Sequence, residues 1–360
     1  MARKNNAYIF APTAKRRKGP GCLLFFLVTI VASIALSLIG NATLNRKMLL
    51  VTEKIPVMAL DKAFESFSVL HISDLHAADI GSDADAWREL LYGKRVDAIV
   101  LTGDMVGRSG NYEPMLRLIQ TLKNVKAASP IYFVAGDDDP SPLISAYRGT
   151  PEVYAEWVLA AQAAGAVYLD APVSQSMGKG TVWFAPEYLY SLDAVGMASS
   201  LSHQRDEMEA KGVQYEAEGG ANYRVLLARL SAMERSAEAI KAMKDQDLQI
   251  AVTHVPLEVD YVRTALEWAP QDVSFSVRRI SLVMAGHYTG GQWRFFGLGP
   301  VYVPEVGWFP GDTSLVGLQR INNLNQYVTA GLGASSFYPM PGRMFNPPSV
   351  ALLTFTARIQ

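Results

Sequence analysis

Short apolar runs closed by turn residues recur along this chain. Residues 67–72 run into Ser73-Asp74-Leu75-His76, residues 97–101 into Thr102-Gly103-Asp104, and residues 131–134 into Ala135-Gly136-Asp137-Asp138-Asp139. Each run is four to six residues long and rich in β-branched or other apolar side chains, so each predicts a buried strand. Between them the spacing predicts helices, over 84–91 and through Met115, Leu118, Leu122 and Val125. Strand-helix-strand alternation makes a mainly parallel sheet, and in such sheets the residues just past the strands' carboxyl ends share one ligand-binding rim. Two later runs have the same form: 248–252 ends in Thr253-His254, and 280–285 ends in Gly286-His287-Tyr288-Thr289-Gly290-Gly291-Gln292. Three of the five histidines therefore follow strands directly.

A rim of Asp74, His76, Asp104, Asp137, His254 and His287 gathers like charges that raise one another's pKa. A bound divalent cation removes that conflict, and mixed oxygen and imidazole donors suit manganese, iron or zinc. Other readings stay open at this level. Asp137 to Asp139 before Pro140 also read as a solvated acidic turn, Asp104 as a turn opener, and His254 as a strand-end histidine bonded to backbone. His71, inside a strand, reads as a core histidine and His203 as a surface one.

The order of these motifs resembles the calcineurin-like metallophosphoesterase family, whose pattern is Asp-x-His, Gly-Asp, Gly-Asn-His-Asp/Glu, a lone His and Gly-His-x-His, each at a strand end. The nearest likeness is to its bacterial membrane-anchored branch, and it extends from about Val51 through 331–335, 345–348 and a final strand over 350–355. The resemblance implies a four-layer αββα sandwich of α/β class and two divalent metal ions. Asp74 and His76 would hold one ion, Asp104 would bridge, and Asp137, His254 and His287 would complete the second. The implied reaction is hydrolysis of a phosphate mono- or diester by a hydroxide bridging the metals. Three positions depart from the family. Asp137 replaces an amide, Asp138 stands where a histidine would protonate the leaving group and so becomes the candidate catalytic acid, and Thr289 replaces the second histidine of the last motif, leaving Tyr288 or a water to fill its place. The competing expectation is a catalytically impaired relative acting as a binding or sensor domain.

The remaining pattern is a single long apolar stretch. Residues 22–39 are 18 uncharged residues, preceded by Arg3, Lys4, Lys15, Arg16, Arg17 and Lys18. This is long enough to span a bilayer with its flanks, and the basic excess places residues 1–20 in the cytoplasm and the remainder outside the cell membrane. The expected organisation is a basic tail (1–20), an anchor (21–41) and a phosphoesterase-like domain (51–360), with a variable loop and helix insertion over 191–245. The insertion's 191–220 part reads as a polar loop, and its helix is capped by Asn222. A cleaved signal peptide is the rival reading; the stretch is longer than a usual signal core and no Ala-x-Ala site follows. Beside the membrane, a lipid or cell-envelope phosphate ester is the expected substrate.

Composition narrows the alternatives. Of 360 residues 49% are hydrophobic, and the formal net charge is −1, so no electrostatic footprint for nucleic acid exists. One cysteine, Cys22, excludes an internal disulfide. Roughly 310 residues beyond the anchor suffice for one large domain with a buried core.

Overall fold

The computed structural model describes residues 21–144, 153–213, 220–295, 299–310 and 315–357. The chain divides into two compact units, Met1–Leu44 and Asn45–Gln360. In the first, α1 (Gly21–Leu44) is one continuous helix. Its segment Leu23–Leu44 has a mean hydropathy of 2.6 and is long and apolar enough to cross a membrane.

The second unit is built on two six-stranded sheets. The first contains β1 (Leu49–Val57), β2 (Ser68–Ile72), β3 (Ala98–Leu101), β4 (Ile131–Phe133), β5 (Ala166–Tyr168) and a closing strand from the C-terminus, Ser349–Ala357. That last strand inserts between β1 and β2, parallel to the former and antiparallel to the latter, while β2 through β5 run parallel. The second sheet starts with β6 (Val173–Met177) and β7 (Gly180–Pro186), continues with β8 (Leu248–Val252) and β9 (Ile280–Ala285), and ends in the hairpin Gly317–Ile321 and Leu324–Val328. Here too the central pairs, β7 with β8 and β8 with β9, are parallel.

Strand alternation explains the layering. In the first sheet Val69, Ala98 and Val100 face inward to meet Phe184, Ile250, Leu282 and Met284 of the second, forming the core between the sheets. Their neighbours Leu70, Ile72, Ile99 and Leu101 face outward against α2 (Ala84–Leu90), α3 (Glu113–Val125) and α4 (Glu156–Ala163). The outer face of the second sheet is covered through Ala251 and Val283, which pack with Val262 of α7 (Val259–Trp268). Both sheets are thus sandwiched by helices, as the family resemblance implied.

Two local expectations need correction. Within 191–220, the polar segment is no loop for most of its length: Ala194–Ala210 forms α5, packed on α6 (Ala221–Ala242). Its inward face is only Ala194, Ala198, Leu201 and Met208, too sparse to stand out among Ser, Glu and Gln, yet correctly spaced to meet a partner helix. The Asp193 side chain caps it by accepting from the Gly196 amide. The cap of α6 is Gly220, and Asn222 lies inside its first turn. His71 is fully buried between the sheets, its Nε2 2.9 Å from Thr102 Oγ1, and burial pulls its pKa down to about 3; His203 is solvent-exposed.

Candidate metal centre

The motif residues emerge from the carboxyl ends of five strands in two sheets: Asp74 and His76 after β2, Asp104 after β3, Asp137 and Asp138 after β4, His254 after β8 and His287 after β9. Backbone bonds knit these ends together. The Asp74 amide donates to Gly103 O at 3.0 Å, that of His76 to Asp104 O at 2.8 Å, and that of Gly286 to His254 O at 2.9 Å. The chain turns so sharply that Asp74, His76, Asp104 and His287 all have positive φ, between 46° and 76°. Such conformations cost of order 1–3 kcal/mol each and persist where the surroundings impose them, commonly at functional sites. Glycine serves the opposite need, close approach: a Cβ at Gly136 would overlap the Asp104 carboxylate, and one at Gly286 would overlap Ser73 Oγ.

Two trios of donor atoms result, Asp74–His76–Asp104 and Asp137–His254–His287, the atoms of each lying within 4.8 Å of one another. Asp104 stands between them, its Oδ2 3.7 Å from His76 Nε2 and 3.2 Å from His254 Nε2. Its other oxygen accepts from the Asp138 amide at 2.8 Å. His254 Nδ1 faces the Thr102 carbonyl at 2.8 Å, which fixes that nitrogen as the N–H and turns Nε2 toward the centre, as metal-binding imidazoles require. In the second trio Asp137 Oδ1 lies 2.7 Å from His254 Nε2 and 3.3 Å from His287 Nδ1.

The residues fit a pair of cations. Metal–nitrogen and metal–oxygen bonds of about 2.0–2.2 Å bring neighbouring ligand atoms to roughly 3–4 Å, the range of the Asp104 distances to His76 and His254. In the first trio the buried atoms Asp74 Oδ2 and His76 Nε2 have no hydrogen-bond partner among the described residues, an arrangement that is costly unless something else satisfies them. Burial raises the Asp74 pKa above the usual carboxylate range. Burial would lower the His254 and His287 pKa values, but facing carboxylates override it. Those of Asp104 and Asp137 hold His254 well above its ordinary value, and those of Asp137 and Glu305 push His287 up to about 9. Hydrogen bonds from His254 and His287 hold Asp137 far below the ordinary range. The centre favours positive charge.

The third motif divides into three roles. Asp137 is half-exposed and faces the centre. Asp138 is buried, and its carboxylate is occupied: Arg108 Nε donates to Oδ1 at 2.6 Å and Ser335 Oγ to Oδ2 at 3.1 Å. Asp139 holds the loop rather than standing in solvent, accepting from the Val106, Gly107 and Gly136 amides at 2.7–2.9 Å. At the altered last motif the Thr289 side chain is buried, and the Tyr288 ring packs against the His287 imidazole.

Three neighbours lay beyond sequence reasoning. Arg108 follows Asp104 by four residues, and its guanidinium lies 3.5 Å from the centroid of the Phe337 ring. Glu305, from a segment carrying no motif, places Oε1 3.2 Å from His287 Nε2. Arg343 is buried and donates to the carbonyls of Ala330, Gly333 and Asn346, bracing the 330–333 segment whose Gly333 amide donates to Asp74 O at 2.6 Å. Ser335 lies in the 331–335 stretch already noted, the one available signal.

A metallophosphoesterase of Bacillus subtilis, uncharacterized and named YkoQ, is 32% identical over 77 residues, which span 21% of this chain and 28% of that relative's length. The crystal structure of phosphopantetheinyl hydrolase (PptH) from Mycobacterium tuberculosis aligns over 75% of this chain and 91% of its own, with 12% identity and a TM-score of 0.35. The sequence pattern described as calcineurin-like phosphoesterase matches residues 67–288, from the start of β2 to the last histidine motif. The chain belongs to the calcineurin-like phosphoesterase family.

Proposed function

We propose that this chain hydrolyses a phosphate mono- or diester at the outer face of a membrane, using two divalent ions held by Asp74, His76, Asp104, Asp137, His254 and His287. One observation carries the reading: Asp104 joins two donor trios drawn from both sheets in a single centre. When bound, the ions would polarise the phosphoryl oxygens and lower the pKa of the attacking water. The chain's own residues do the rest. Asp74 and His76 supply the buried, otherwise unpartnered donors. Thr102 O fixes the His254 tautomer and Glu305 orients His287. Asp138 acts by holding Arg108 rather than by delivering a proton, because both of its oxygens are engaged. Arg108 is more than half exposed and offers its remaining N–H groups to an incoming phosphate. The helix Leu23–Leu44, with basic residues ahead of it in the sequence, supports tethering with the catalytic unit outside the cytoplasm.

The test is metal content of the purified full chain, followed by hydrolysis of aryl phosphate mono- and diesters with added manganese. Two ions per chain and turnover lost by at least a thousandfold in Asp104→Asn are expected. Fewer than one ion and no turnover would eliminate the enzyme. That outcome favours the second reading, a binding or sensor domain, for which the loss of an imidazole at Thr289 is the specific motive.

A further inference from the structure

The segment that brings Glu305 to the centre has a second face. Tyr302–Val303 and Gly307–Trp308 pair as a short antiparallel hairpin, and at its turn Pro304 and Glu305 line the opening above Asp104, Asp137 and His287. Glu305 is the only charged residue from 301 to 310, and it is turned inward to His287. Outward, Val306, Trp308 and Phe309 are each more than half exposed, and Phe337, which also lines the opening, is half exposed. The rings form a continuous path away from the centre. Tyr338 lies 6.3 Å from Tyr302, Tyr302 5.0 Å from Trp308, and Trp308 6.4 Å from Phe309, centroid to centroid. Clustered exposed apolar side chains of this kind mark binding surfaces.

We infer that this rim seats the apolar group of the substrate, so that the proposed phosphoesterase acts on amphiphilic esters carrying a long alkyl or acyl chain. The inference rests on the hydrolase reading. Continuity identifies the occupant: an ester with its phosphate at Asp104 and Arg108 must lead its organic part out through the opening, and the hairpin bounding that opening offers apolar surface and no free charge. Each methylene buried there would raise affinity roughly fourfold.

The experiment uses the full chain in nanodiscs, loaded with manganese, and compares methyl and hexyl 4-nitrophenyl phosphate as substrates. The hexyl ester is expected to have a kcat/KM at least tenfold higher, with the ratio falling toward one in the double variant Trp308→Ala, Phe309→Ala. An equal ratio in wild type and variant would overturn the inference. Calorimetric binding of hexylphosphonate against methylphosphonate separates the two levels. Tighter hexylphosphonate binding that depends on Trp308 and Phe309, without turnover of either ester, would uphold the rim while the hydrolase reading failed. Equal binding of the two phosphonates, together with quenching of Trp308 fluorescence by brominated lipids, would assign the rim to the bilayer and overturn the inference.

Discussion

The two donor trios share Asp104 as a neighbour but solve their electrostatics differently. Asp74, His76 and Asp104 are nearly sealed from solvent, and among the described residues Asp74 Oδ2 and His76 Nε2 have no hydrogen-bond partner. Asp137, His254 and His287 satisfy one another, with imidazoles against the carboxylate and Glu305 behind His287. The first trio has no internal substitute for a cation, whereas the second holds protons in its place. Without metal, the buried trio should therefore be a source of instability and the open trio a source of stability.

The largest effect that tests this contrast is in the metal-free protein. Asp137→Asn removes the anion shared by two imidazoles and should lower stability by about 1–3 kcal/mol. Asp74→Asn replaces a desolvated carboxylate by a neutral isostere and should raise stability, by about 1 kcal/mol. Chemical denaturation of the chelated variants gives both signs; destabilisation of similar size in both would erase the distinction. Next comes the pair beside the centre. Arg108→Ala and Asp138→Asn should each lower kcat/KM about tenfold, and the double variant should be little worse than either, since one change already removes the shared interaction. A loss of a thousandfold confined to Asp138→Asn, with the basic limb of the pH profile gone, would instead restore Asp138 as an acid.

A separate effect is in pH dependence. His287 has a folded-state pKa of about 9 against an ordinary 6.5, so its charged form stabilises the metal-free fold. That contribution is complete below pH 6.5 and is lost as pH rises through 9, with a slope of at most about 1.4 kcal/mol per unit. Urea midpoints of the chelated protein at pH 6 and 10 should show the decline, and His287→Gln should flatten it. A decline of the same slope in the variant would assign it elsewhere.

Much of the centre was legible because its residues end strands, and strand ends are marked locally by an apolar run giving way to turn residues. Asp74, Asp104, His254 and His287 needed no knowledge of the other sheet to be singled out. The layering was expected only through the family resemblance; that Val69 and Leu70 belong to opposite faces emerges from the structure. What escaped depends on contacts between distant segments. Glu305 reaches His287 from a hairpin that carries no motif, and nothing local distinguishes it from a surface glutamate. Arg108 gains its role from Asp138 thirty residues away and from Phe337 in another loop. The helix α5 was hidden because its buried face is four small or medium residues, enough only when α6 lies against them. The partners of Asp138, Arg108 and Ser335, were equally hidden: a carboxylate beside the centre reads as an acid from sequence alone, whatever holds it.

The central claim is that Asp104 joins two cation sites. Anomalous scattering from crystals soaked in manganese tests it most directly. The account predicts two peaks about 3.5–4 Å apart, one beside Asp74 and His76, the other beside Asp137, His254 and His287, with Asp104 between them. No peak in the pocket, or one peak remote from Asp104, would contradict it.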